Sequence, residues 1–208
     1  MKKLLNQFKG HKCLVFMDFE GTQFSHEMIA IGAVLTIIDK NGNIKKYKEP
    51  FKLFVKSKNR VGKVVTNLTG ITDDKLQKEG VSFAQALFAF KKYCGISFKK
   101  ASFITFGNHD MKILSSSLSY NLDTPREIVS QMQKNYVDYL SFISEFIKDE
   151  GNNPYSLVNY IKHFNLQEAG NAHDPEVDAI NLAHLYQAFL DNKAIVLEDY
   201  YWHCLMNY

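Results

Sequence analysis

The 208-residue sequence has three cysteines, Cys13, Cys94 and Cys204, far apart and with no CxxC pair. That pattern argues against a disulfide framework and against a paired-cysteine zinc site, and it fits a reduced, cytoplasmic setting. Proline is scarce, at four residues against eleven glycines, which excludes a collagen-like or Pro-rich chain. No apolar run approaches the roughly 20 residues of a membrane helix, so no membrane association is expected. The opening M-K-K-L-L-N-Q-F-K-G is basic but lacks the apolar centre of a signal peptide. Acid is nearly missing from Lys40 to Lys63, where nine basic residues face a single acid, Glu49. The whole chain carries only +3, so the remainder is net acidic. A basic strip beside an acidic region suits an enzyme acting on a polyanion.

The stretch around which the chain is organised is Cys13 to Glu20, C-L-V-F-M-D-F-E, closed by Gly21 and Thr22. It reads as a buried strand that ends in two acids. Residues two apart in a strand share a face, so Asp18 and Glu20 leave the same side. Crowding two carboxylates there is costly, and a divalent cation relieves the cost.

Met28 to Ile38 reads as a second strand, and Asn41-Gly42 as a turn. A third strand over 44–55 carries Pro50, which marks an edge or a bulge. On that strand Lys46, Lys48, Lys52 and Lys56 share one parity, while Tyr47, Phe51, Leu53 and Val55 share the other. One lysine row on one face is the expectation. Residues 57–70 read as polar and irregular. Helices are predicted over 72–80, 82–95, 111–118, 126–134, 139–147, 155–164 and 174–190, with strands over 101–106 and 136–138. Thr72 and Ser82 are natural N-caps, as is Asp174 with Pro175 behind it. The tail from Ala194 to Tyr208 reads as a last amphipathic helix. There is no repeat and no linker. The expectation is one α/β domain over 1–208, with a core of about 11–191 and a C-terminal helix of about 194–206.

The acids that end strands or start helices are Asp18, Glu20, Asp110 and Asp178. Four carboxylates on one sheet edge suit a hard, oxygen-ligated pair of Mg²⁺ or Mn²⁺ ions. Two such ions ~3.5–4 Å apart clamp the attacking and leaving oxygens of a phosphodiester displacement. His173 precedes the cap residue Asp174, from where its imidazole folds back over the helix start as a candidate general base.

Asp18-Phe19-Glu20, Asp110, and His173 with Asp178 resemble the three motifs of the DEDDh (DnaQ-like) 3′→5′ exonucleases, in order and over essentially the whole chain. The resemblance implies an RNase H-like mixed sheet of three antiparallel N-terminal strands plus parallel strands, flanked by helices. It implies two Mg²⁺ or Mn²⁺ ions on Asp18, Glu20 and Asp178, with Asp18 bridging both. Asp110 then supports the second ion and His173 activates the water. His five residues before Asp is the mark of this branch; the other branch has Tyr four before, where this chain has Asp174. Leu68-Thr69-Gly70-Ile71-Thr72 is similar to the family segment that packs on the 3′-terminal nucleotide. With Ser25-His26-Glu27, it looks most like the Eri/KapD-like exoribonucleases. The candidate substrate residues are Gly21, Thr22, Leu68, Thr69, Gly70 and Phe106, with Lys52 and Lys56 taken from the basic strand and Phe24 and Phe106 named as stacking candidates by position. Two places depart from the pattern. Asn108-His109 stands where an aromatic is common, and Glu176 adds a charge beside the site.

The expected function is therefore hydrolysis of single-stranded RNA or DNA from the 3′ end to 5′-mononucleotides. The alternatives are a degenerate nucleic-acid-binding module of the same fold and an endonuclease of the wider RNase H-like group.

Overall fold

The structure is a computed structural model that describes residue 8 and residues 10–206. The first seven residues of the basic opening, the Cys204 side chain and the tail end at Tyr208 lie outside the described residues. Among the described residues, β1 (Cys13–Gly21), β2 (Met28–Ile38), β3 (Ile44–Tyr47), β4 (Phe51–Phe54), β5 (Ala101–Thr105) and β6 (Tyr136–Asp138) form one mixed sheet. Its order is β3-β2-β1-β5-β6, with β4 also paired to β2. β1 is central: it runs antiparallel to β2 and parallel to β5. Both of its faces are covered, which is why its sequence is continuously apolar rather than alternating. Leu14 and Phe16 enter one core, Val15, Met17 and Phe19 the other. Asp18 and Glu20 project from the Leu14–Phe16 face.

The helices are α1 (Lys63–Thr69), α2 (Asp73–Glu79), α3 (Phe83–Cys94), α4 (His109–Tyr120), α5 (Arg126–Lys134), α6 (Tyr139–Ile143), α7 (Leu157–His163), α8 (Pro175–Asp191) and α9 (Lys193–Met206). α6, α7, α8 and α9 cover the Asp18 face, and α3, α4 and α5 the other. The caps act as the sequence predicts. Thr72 accepts from the Lys75 N–H, Ser82 and Gln85 form a reciprocal capping box, and Asp174 accepts from the Glu176 N–H ahead of Pro175.

Three expectations are corrected. The strand over 44–55 is two strands, because Pro50 has no N–H to give the ladder. Across that break the register on β2 slips by one, from Lys46 opposite Ile37 to Lys52 opposite Gly32. A one-residue slip turns every later side chain to the other face. Tyr47 therefore meets His184 of α8, while Phe51 stacks on Phe90 and Tyr93 of α3. The single lysine row does not exist: Lys48 lies over the Tyr93 ring on the far face, and Lys52 points toward α8. Second, residues 63–69 are helical rather than irregular. α1 has no side-chain cap and buries none of its residues, and its β-branched Val64, Val65 and Thr66 are poor helix formers. Its start is held by Gln23 Oε1, which accepts from the Val64 N–H at 3.2 Å, and its end by Gly70 at φ 69°. Third, the helix over 139–147 closes at Ile143 and continues as turns.

The N-terminus of α8 sits directly on β2. A Cβ on Gly32 would lie 2.0 Å from the Pro175 carbonyl carbon and 2.3 Å from the Glu176 nitrogen. Gly32 pairs with Asp18 across the β1–β2 ladder, so this contact brings the start of α8 over the acid strand. Backbone meets backbone there, and neither can yield locally. Gly32→Ala is expected to cost about 3 kcal/mol, read as a lowered denaturation midpoint.

Candidate active site

β1 and β5 are parallel and end at the same edge of the sheet. Asp18 and Glu20 stand at the end of β1, and Asp178 lies in the first turn of α8. One carboxylate oxygen from each of Asp18, Glu20 and Asp178 lies within 4.8 Å of the others. All three side chains are half-buried.

Asp110 joins from the opposite face of the sheet. It lies in the first turn of α4, is 5% exposed, and accepts from the Phe19 N–H through Oδ1 at 2.7 Å. The β1–β5 pairing ends at Phe16–Ile104, so the Phe19 N–H has no strand partner on that side. The Asp110 carboxylate takes the place of the missing strand.

The turn bearing Asp110 is itself clamped. Gly107, at φ 94°, accepts from Thr105 Oγ1 at 2.6 Å and from the Tyr136 hydroxyl at 2.8 Å through its carbonyl, and donates its N–H to Asp138 at 3.2 Å. Sequence reading assigned no role to Tyr136 or Asp138. The only available signal was a polar Tyr-x-Asp in a three-residue strand.

His173 sits at φ 64°, a left-handed conformation that is unusual for a residue other than glycine. The turn aims its backbone N–H at Asp178 Oδ2, 2.9 Å away, and its side chain is exposed. Asp174, one residue on, pairs with Lys52 at 2.5 Å. Lys52 is thus engaged with the cap of α8.

The other expected substrate residues are scattered in role. Thr22 is 2% exposed, with its hydroxyl bonded to Ser25 Oγ and the Glu27 N–H. Gly21 is packed beneath Ile113. Thr69 closes α1 by bonding Val65 and Ile71, and Gly70 is its left-handed cap. Phe106 is half-buried, edge-on to Tyr160 at 5.9 Å. Leu68 and Phe24 are 55% and 81% exposed, and Lys56 is exposed.

Removal from water, then the Asp110, Glu20 and Asp178 charges, raise the Asp18 carboxyl well above its ordinary range. Burial, then Asp178 and Asp110, push Glu20 up to about 8. Burial pushes Asp110 up to about 7, opposed by the Phe19 N–H. Asp178 is raised by burial and relieved by His173. An all-oxygen donor set that holds protons this tightly has the chemistry of a hard divalent cation site. The sign of the pH dependence follows. The folded chain keeps protons that the unfolded chain, with ordinary values of 4.5 for Glu20 and 3.8 for Asp110, has already lost. Stability therefore falls as pH rises through that window. We expect metal-free protein to lose several kcal/mol of stability between pH 5 and pH 8. Saturating Mg²⁺ should flatten the slope, as read by thermal melts at each pH.

The RNase_T family model, described as exonuclease, matches residues 15–186. No curated protein matches the chain by sequence. Solved structures share its fold. The nuclease domain of 3′hExo, a DEDDh family member bound to rAMP, superposes with a TM-score of 0.70 at 20% identity, over 88% of this chain and 93% of that one. Cell-death related nuclease 4 gives 0.67 at 19% identity, over 87% of this chain and 64% of that one. Escherichia coli (E. coli) Exonuclease I with a dT13 oligonucleotide gives 0.68 at 17% identity, over 90% of this chain and 43% of that one. The chain thus spans less than two thirds of the latter two.

Proposed function

Because the chain belongs to the RNase_T exonuclease family over residues 15–186, we propose that it is a 3′→5′ exonuclease that uses two Mg²⁺ or Mn²⁺ ions. It hydrolyses single-stranded RNA or DNA and releases 5′-mononucleotides. The observation that carries this reading is the meeting of Asp18, Glu20 and Asp178 within 4.8 Å, with the His173 N–H fastened to Asp178. The rAMP and dT13 ligands of two structural neighbours support the same substrate class.

Asp18, Glu20 and Asp178 would hold the ions, with Asp110 as the further carboxylate beside them. Divalent ions bound there supply charge neutralisation and polarisation of the phosphodiester. The chain's own residues do the rest. β1 holds Asp18 and Glu20 at a fixed spacing. The Phe19 N–H and the Gly107 clamp hold Asp110. His173 restrains Asp178 through its backbone, and its exposed imidazole accepts the proton of the attacking water. Phe24 and Leu68 present apolar surface to the terminal nucleotide.

A single strand labelled at its 5′ end is expected to shorten progressively from the 3′ end with Mg²⁺ and to stay intact with EDTA. Binding without shortening would identify a degenerate binding module instead. Cuts that begin at internal positions would identify an endonuclease. Matched RNA and DNA oligonucleotides settle the sugar preference.

A further inference from the structure

One buried carboxylate has no part in that chemistry. Glu27 is 1% exposed and lies directly ahead of β2. Its Oε1 accepts from the Asn59 N–H at 2.9 Å, from Asn59 Nδ2 at 2.7 Å and from Ser25 Oγ at 3.1 Å; its Oε2 accepts from the Lys58 N–H at 2.8 Å. All four donors are neutral. A carboxylate taken out of water needs such partners, and here they come mostly from a loop some thirty residues further along the chain.

That loop joins β4 to α1. It carries Lys58 and Arg60, both exposed, and Lys63 follows at the start of α1. It is tied down a second time where the Gln23 N–H donates to the Val61 carbonyl at 2.9 Å, and a third time where the Val61 N–H donates to Asp73 at 3.0 Å. Gln23 is three residues past Glu20, so chain reach and this hydrogen bond hold the Val61 carbonyl within about 15 Å of the end of the acid strand. Thr22 closes the arrangement. Its hydroxyl accepts from the Glu27 N–H at 2.9 Å, and its own N–H donates to the Glu27 carbonyl at 2.8 Å. The segment 21–27 therefore leaves the acid strand and grips the basic loop at once.

The mode of gripping matters. Glu27 takes the backbone N–H of Lys58 and not its ammonium, so the loop is fixed while its cations stay outside. A loose basic segment beside several carboxylates would fold onto them and neutralise them. We propose that Glu27 is a positioning residue that holds the Lys58–Lys63 loop at the lip of the acid cluster, where Lys58 and Arg60 grip backbone phosphates of single-stranded nucleic acid. This rests on the exonuclease reading, and it moves the phosphate contact away from the divided lysine strand.

The test compares wild type, Glu27→Gln and the surface double variant Lys58→Ala/Arg60→Ala on a single-stranded oligonucleotide with Mg²⁺ over a range of salt. Dissociation constants for the same labelled strand are measured alongside. Glu27→Gln keeps the volume but sets an NH₂ against the loop's N–H donors. Both variants are expected to raise KM and Kd roughly tenfold, with kcat held within about twofold. The slope of log affinity against log salt should fall by about one to two, because phosphate contacts are lost. Hydrogen exchange at Lys58 and Asn59 should quicken in Glu27→Gln and not in the double variant. The double variant reads the loop's cations even if Glu27→Gln does not fold. An unchanged KM and salt slope in the double variant overturns the proposal. So does a fall in kcat at constant KM in Glu27→Gln. A wild type that binds but never cleaves overturns the exonuclease reading alone, since the salt slope of Kd still tests the loop.

Discussion

Asp18→Asn is expected to lower cleavage by about a thousandfold or more and, at neutral pH, to make the metal-free protein more stable. The two effects share one cause. Asp18 lies at the centre of the acid group: its carboxyl is raised by removal from water and then by Asp110, Glu20, Asp178 and Asp174 in turn. Without a cation, a charge at this position opposes every neighbour. Asparagine keeps the shape and removes the cost of either bearing that charge or taking up a proton to cancel it, so the melting temperature rises. With Mg²⁺ present the comparison inverts, because the wild type gains more from the ion than the variant does. Melts of both proteins with EDTA and with Mg²⁺, beside a cleavage assay, check all three statements. An Asp18→Asn protein that still degrades single strands at the wild-type rate would show that the cluster is not the reaction centre.

Much of this site was legible because its elements announce themselves locally. An apolar run ending in Asp-Phe-Glu can bury both faces of a strand and expose its acids only at the end. Asp174-Pro175 is a helix start on elementary grounds, and it fixes Asp178 in the first turn. The features that were not legible depend on contacts between distant segments. The lysine alternation looked like one face, yet the slip beside Pro50 sends Lys48 and Lys52 to opposite sides of the sheet. Pro50 marks the place of the bulge in the sequence, but a parity count run straight across it misses the one-residue slip that a bulge brings. α1 was hidden because its first turn is anchored by Gln23, forty-one residues earlier, and not by a cap of its own. Gly32 read as one small residue in an Ile- and Val-rich strand. Its role follows only from Pro175 resting on it. Glu27 and Asp138 each also accept from a backbone N–H of a distant segment, Lys58 and Asn59 for Glu27 and Gly107 for Asp138, and nothing in their neighbouring residues signals those long-range bonds.

His173→Gly separates the two contributions of the histidine more cleanly than alanine does. The backbone contribution is the N–H held 2.9 Å from Asp178 Oδ2, and it depends on the left-handed φ of 64°. Glycine adopts that conformation freely, so the N–H stays in place, Asp178 keeps its restraint, and the fold is retained. Alanine adds the steric cost of a Cβ at positive φ, so His173→Gly is expected to be about 1 kcal/mol more stable than His173→Ala. Both variants lack the imidazole. If the imidazole takes the proton of the attacking water, both lose about a hundredfold to ten-thousandfold in rate at neutral pH while metal-induced stabilisation stays near that of the wild type. Added free imidazole should restore part of the rate in the glycine variant, where the space is open. A glycine variant with full activity would leave His173 only its backbone role as the tether of Asp178. A glycine variant that loses metal-induced stabilisation would show that the side chain shapes the carboxylate cluster itself.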